Sequence, residues 1–187
     1  MAVHRDMSEA FAEIQGHLVE ATGDLFEGYA FPVELVTMGT KAPATSGETV
    51  ASIIGYAGDT MRGALVLVTS REVVTALQPE DLREELKGND DAACDVLGEF
   101  SNMLLGRLKN LLLGRGVILM LATPTTAVGT ALRIATPAEG TAAWHEFSSA
   151  AGPVFVRFDA MFDPDFALED ARGADTGAVA EGDLMMF

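Results

Sequence analysis

The sequence predicts an α+β domain. Three observations carry this. Strand-like runs outnumber helical ones without alternating with them one for one, two of the strands lie close enough to form a hairpin, and no internal repeat is present. With 187 residues, nearly half of them apolar, the chain has enough material for one domain with a sizeable core.

The elements follow in order. Residues 7–28 predict a helix: Met7, Phe11, Ile14, Leu18, Ala21 and Leu25 keep a helical spacing, Ser8 is available as a cap, and Gly28 followed by Pro32 ends it. Residues 33–37 read as a short extended piece and residues 41–48 (KAPATSGE) as a loop. Residues 50–56 and 63–69 read as two strands with Gly58 and Asp59 in the connection, a β-hairpin. Ser70 starts a short helix to about Leu77. Residues 79–91 are acidic and irregular, with one helical turn near 82–86. A long helix spans about 90–114. The last third is β-like, with candidate strands at 117–122, 127–135, 142–148 and 154–162 separated by Pro, Gly, Thr and Ser.

Beyond Asp163 the composition turns acidic and poor in large apolar residues. The chain therefore divides into a domain over 1–163 and a disordered tail over 164–187. The tail's apolar end, Leu184, Met185, Met186 and Phe187, reads either as a docking peptide or as a loosely attached terminus.

Charge and cysteine content narrow the function classes. A net charge of −16 disfavours nucleic acid and anionic membranes as main partners. The longest apolar runs are far too short to span a bilayer. Cys94 is the only cysteine, so no intramolecular disulfide forms, which suits a reducing compartment. The first residues carry charges where a signal peptide needs an apolar stretch. The expectation is a soluble, cytoplasmic protein.

Chemistry concentrates on the long helix. Asp95, Glu99 and Asn102 stand at i, i+4 and i+7, which stacks them on one face. At about 100° per residue, Gly106 and Lys109 join the same arc, with Gly98 and Asn110 at its edges. Leu97, Phe100, Leu104, Leu108 and Leu111 fall opposite and form the buried side, while Val96 and Met103 flank the stripe. Each interior glycine costs about 1 kcal/mol relative to alanine. A mid-helix asparagine is also a poor helix former. Two readings stand: an ordinary solvated face, or a surface whose acid grips a charged partner while its amide orients a water.

Other candidates are weaker. His4, His17 and His145 show no metal-ligand spacing, and no metal site is expected. Cys94 reads as a half-buried structural thiol. Gly55, Gly58 and Gly63 fit hairpin chemistry better than a phosphate loop, since no GK[ST] follows them. The acids Glu80, Asp81, Glu84 and Glu85 read as a solvated face, without the alternation of a calcium loop.

The stretch DVLGEFSNMLLGRLKN resembles the signature helix of CheX-like members of the CheC/CheX/FliY chemotaxis phosphatase family, which reads D-x-x-G-E-x-x-N-M-x-x-G. Asp95, Gly98, Glu99, Asn102, Met103 and Gly106 match it. The stretch IIGYAGDTMRGALVLVTSREVV resembles the family's hairpin and short helix, and the likeness covers roughly residues 7–162. The resemblance implies a CheC/CheX-like fold: a mostly antiparallel sheet with the long motif helix and an N-terminal helix packed on it. It implies dephosphorylation of a response-regulator receiver domain, typically CheY. Glu99 would pair with the receiver's active-site lysine, and Asn102 would hold a water in line with the phosphoryl group. Asp95, Gly98, Gly106 and Lys109 would surround the contact, the glycines giving clearance to the receiver's loops. The protein would need no cofactor of its own; the aspartyl phosphate and Mg²⁺ would come from the receiver. A homodimer formed through the sheets is implied as well. Arg107 and Leu108 replace the Asn-Ala that family sequences often carry after Gly106. Together with the added tail, they leave a second reading, a non-catalytic receiver-binding or scaffold module.

Overall fold

A computed structural model describes residues 7–41, 47–130, 132–134 and 140–169. Two long helices, α1 (Met7–Gly28) and α3 (Asp90–Leu113), pack together on one face of a sheet. A short helix α2 (Arg71–Ala76) and a 3-10 turn (Glu80–Leu86) link the hairpin to α3. The strands are β1 (Glu34–Gly39), β2 (Thr49–Ala57), β3 (Met61–Ser70), β4 (Met120–Leu121), β5 (Thr125–Gly129), β6 (Thr141–Ser149) and β7 (Gly152–Phe162). Their order is β1-β6-β7-β3-β2-β4, with β5 also on β2, and every described pairing is antiparallel. This is the α+β architecture read from the sequence.

Periodicity explains the core. Phe11, Ile14, Leu18, Ala21 and Leu25 of α1 are buried as their spacing requires, while Met7 at the end of the stripe is exposed. Along β2, Val50, Ile54 and Tyr56 enter the helix-side core, and Ala51 belongs to a smaller cluster on the other face with Val66, Val68, Trp144 and Phe155. Leu132 and Ile134 cover part of that outer cluster. The Arg157 guanidinium lies 5.8 Å from the centre of the Trp144 ring and 2.7 Å from Asp159 Oδ1. Burial pushes the Arg157 pKa down and the Asp159 carboxyl up, each against the pull of the other's charge.

Side-chain caps and one arginine fix where α3 starts. Ser70 Oγ accepts from the Val73 N–H at 3.4 Å, so α2 begins where the sequence places it. Asn89 Oδ1 accepts from the Ala92 N–H at 3.1 Å and caps α3. Arg71 bridges Glu48 and Asp90 and donates to the Asn89 carbonyl at 3.2 Å, tying the first turn of α3 to the entry of β2.

The structure corrects the sequence in three places. Ser8 lies within α1 rather than ahead of it. The two strands read at 117–122 and 127–135 differ from the observed ones: Met120 and Leu121 pair with β2, with the Ala122 N–H donating to the Gly55 carbonyl at 2.9 Å, and the later ladder runs over Thr125–Gly129, residues 131 and 135 lying outside the described residues. The reason is that both compete for the same edge of β2, which ends at Ala57, and Pro124 between them cannot donate to a ladder. Residues 164–169, assigned to the tail by composition, belong to the fold. Phe166 and Leu168 are buried, the Phe166 ring lies 4.4 Å from that of Phe162, and the Glu169 N–H donates to the Arg115 carbonyl at 2.9 Å. Residues 170–187, where disorder is expected, lie outside the described residues.

The end of α1 carries a strained cap. The Ala30 N–H donates to the Glu27 carbonyl at 2.9 Å and the Phe31 N–H to the Phe26 carbonyl at 3.0 Å, while the Phe26 and Phe31 rings sit 6.1 Å apart. This is a Schellman ending with its hydrophobic contact. The left-handed position that it requires is held by Ala30 at φ 54° rather than by glycine. Ala30→Gly is therefore expected to stabilise the fold by about 1 kcal/mol, raising the thermal midpoint by roughly 2–4 °C. An unchanged or lower midpoint in calorimetry would count against the strain.

His145 is buried on the core side of β6, its Nδ1 3.3 Å from the Val156 carbonyl oxygen. Burial lowers its pKa below the usual 6.5 and outweighs that hydrogen bond, so folding disfavours the charged ring. The unfolded chain takes up a proton there that the folded chain refuses. Stability is then full above about pH 6.5 and falls as the pH drops below it. Urea midpoints at pH 7.5 and 5.5 are expected to differ more for the native protein than for His145→Leu.

Candidate functional site

The rotation of α3 about its axis decides which side chains reach solvent. Ser101 anchors it. This hydroxyl is buried and donates to the Gly98 carbonyl at 2.8 Å, and its oxygen lies 2.6 Å from Ser52 Oγ of β2. With its proton committed to Gly98, Ser101 accepts from Ser52. A polar clasp under the helix thus fixes its inner face, beside Leu97, Phe100, Leu104, Leu105 and Leu108, all buried.

The outer face then presents what the spacing predicts. Asp95, Glu99 and Asn102 are exposed, and Gly106 and Lys109 are half-buried in the same stripe. Asn110 is exposed at its edge, while Val96 and Met103 are half-buried and pack against the core. Leu111, read as buried, is half-buried.

Gly98 departs from the reading. It is buried, and a Cβ placed on it would lie 3.4 Å from Thr126 Cγ2 and 4.0 Å from Pro124 Cβ. Its bare backbone faces the segment entering β5, so any clearance it gives is to the chain's own wall. Around Gly106 the corresponding space is open.

The stripe has a wall on each side. Thr126 and Pro124 stand beside Gly98. On the other flank Tyr29, at the end of α1, packs its ring 4.7 Å from that of Phe100, and its hydroxyl donates to Met103 Sδ at 3.3 Å. Neither wall nor the serine clasp is visible in the sequence reading. A signal for the clasp existed: Ser101 is a polar residue inside the apolar arc of α3.

Chemically, an exposed carboxylate offers only acceptors, whereas an amide offers a donor and an acceptor together without changing protonation. Among the described residues no cluster of His, Cys, Asp and Glu is suited to a metal ion. Nor, among them, is any helix long and apolar enough to cross a membrane. His17 is half-buried, 3.8 Å from carboxylate oxygens of both Glu13 and Glu20. Cys94 is half-buried, as expected. A cavity of about 460 Å³ opens on the far side of the sheet over Ile53, Ala64, Arg157 and Asp159, away from the α3 stripe.

A sheet with two long helices packed on one face is a fold shared with several solved structures. A CheC-like superfamily protein from Shewanella sp. PV-4 is 21% identical, with a TM-score of 0.68, over 79% of this chain and 97% of its own. Chemotaxis protein CheX from Vibrio vulnificus is 21% identical, with a TM-score of 0.68, over 80% of this chain and 99% of its own. CheX in a CheX–CheY–BeF3–Mg²⁺ complex from Borrelia burgdorferi is 18% identical, with a TM-score of 0.63, over 79% and 97%. No curated protein matches. The family model for chemotaxis phosphatase CheX matches residues 50–148, a span that holds the hairpin, α2, α3 and most of β6. The chain belongs to the CheX chemotaxis phosphatase family.

Proposed function

We propose that this protein dephosphorylates the aspartyl phosphate of a CheY-type receiver domain, in chemotaxis or related two-component signalling. Glu99 pairs with the receiver's lysine, and Asn102 enters the receiver's site and holds the attacking water in line with phosphorus. The single observation that carries this is the exposed stripe on α3, with Glu99 and Asn102 one turn apart on a helix clamped from below. Such a side chain needs no base and no metal of its own. Phosphoryl transfer asks mainly for positioning and charge stabilisation, and a preplaced water supplies orientation in advance. The Mg²⁺ belongs to the receiver. The Borrelia neighbour, crystallised with CheY, supports a receiver as the partner.

Asp95 and Lys109 lie at the two ends of the stripe and extend the docking surface, while Gly106 leaves open space for a loop of the partner. A homodimer and a cytoplasmic location remain part of this proposal; light scattering showing a monomer across micromolar concentrations would refute the former. The test is the decay of a phosphorylated CheY-type receiver with and without the protein, alongside Asn102→Ala and Glu99→Ala. Faster decay that both variants abolish supports the mechanism. Binding without faster decay supports the scaffold reading, which Arg107 and Leu108 motivate.

A further inference from the structure

The flank of the stripe formed by Tyr29 has no task in the chemistry just described. It lies outside the signature helix, at the end of α1. Tyr29 is 46% exposed. Its ring rests 4.7 Å from Phe100, and its hydroxyl is within reach of Met103 Sδ at 3.3 Å. Phe100 and Met103 each directly follow a stripe residue, Glu99 and Asn102, so the phenol borders the acid–amide pair within about one helical turn.

Two further features suit a contact residue. Thioether sulfur is a weak acceptor, so the phenolic O–H is available to a better one from outside. The ring is also held in advance by its contacts with Phe100 and Met103, on a main chain fixed by the Tyr29 N–H donating to the Phe26 carbonyl at 3.1 Å. An aromatic side chain already ordered loses little freedom when a partner covers it, and tyrosine is among the residue types that dominate binding at interfaces.

We infer that Tyr29 is a receiver-docking residue: the partner's surface beside its phosphorylation site packs on this ring, and the contact sets affinity and choice of receiver without taking part in hydrolysis. The inference rests on the receiver reading of the stripe. It places the docking surface on two helices, α1 and α3, rather than on the signature helix alone.

The experiment separates binding from turnover. A CheY-type receiver loaded with beryllofluoride and Mg²⁺ is titrated against the native protein, Tyr29→Ala, Tyr29→Phe and Asn102→Ala. The phosphorylated receiver is then used to obtain KM and kcat. Tyr29→Ala is expected to weaken binding and raise KM by about tenfold with kcat within about twofold, the scale of one interface anchor. Tyr29→Phe, which keeps the ring, is expected to stay within about threefold of the native protein. Asn102→Ala is expected to do the reverse, losing kcat and keeping affinity. Unchanged affinity in a folded Tyr29→Ala overturns the inference, as does failure of the native protein to bind the receiver at all. If the native protein binds through Tyr29 yet leaves the phosphate lifetime unchanged, the phosphatase reading falls and the docking role stands. Should Tyr29→Ala misfold, hydrogen exchange on the native protein decides: residues 26–31 are protected by the receiver if the inference holds, and exchange as before if it does not.

Discussion

Asn102→Ala is expected to lose the acceleration of receiver dephosphorylation by about a hundredfold or more, while folding as the native protein does. The magnitude follows from the task assigned to the amide. Misplacing a reacting group by about 1 Å can cost 10²-fold, and removing the group that holds the water leaves its position to chance. The fold is spared because Asn102 is exposed and alanine is the better helix former. Glu99→Ala is expected to act differently, through a weaker grip on the receiver's lysine, with affinity falling alongside rate. Asn102→Asp is the informative companion. It keeps size but exchanges an amide donor for a second acceptor with a negative charge, beside a phosphoryl group that is already anionic. Little rescue is expected. If Asn102→Ala dephosphorylates at the native rate, the water is held elsewhere and the mechanism assigned to α3 is wrong.

Gly63→Ala is expected to lower stability by at least about 3 kcal/mol, far beyond an ordinary surface change in a strand. Gly63 stands opposite Tyr56 in the hairpin. The missing side chain lets the Tyr56 ring stack on Phe158, with ring centres 5.3 Å apart and planes inclined by 6°, and lets its hydroxyl donate to the Asp159 carbonyl at 2.6 Å. Burial, with the Asp159 charge adding to it, pushes the phenol pKa well up, so the proton needed for that bond stays in place. A Cβ on Gly63 would meet the Asp159 carbonyl oxygen at 2.0 Å and the Tyr56 hydroxyl at 2.7 Å. The first contact is with backbone, so the ladder between β3 and β7 must open. A urea midpoint lower by about 1 M or more is expected. A midpoint within error of the native protein would mean that the sheet yields more easily than its geometry suggests.

What was legible in the sequence was what repeats locally. α1 was readable because Phe11, Ile14, Leu18, Ala21 and Leu25 repeat at helical spacing over about four turns, and the hairpin because two β-rich runs flank Gly58 and Asp59. The stripe on α3 was readable for the same reason: helical geometry alone brings Asp95, Glu99 and Asn102 together. What failed was whatever depends on a distant partner. The sharing of one β2 edge by β4 and β5 is a competition between two segments for the same hydrogen bonds, and no local pattern records it. The burial of Gly98 depends on Thr126, and the packing of residues 164–169 on Phe162 and Arg115. Tyr29 is separated from Met103 by 74 positions, and nothing in the spacing of either helix announces their meeting.

The serine clasp gives α3 two independent alphabets. Its underside is read by β2, where a change at Ser101 leaves the Ser52 hydroxyl buried without its partner. Its outer side is read by whatever docks there, and substitutions at Asp95, Arg107 or Lys109 leave the clasp untouched. If the docking role proposed for this face holds, substitutions there are expected to change the choice of partner at almost no cost to folding, because the clasp that holds the helix lies on its other side.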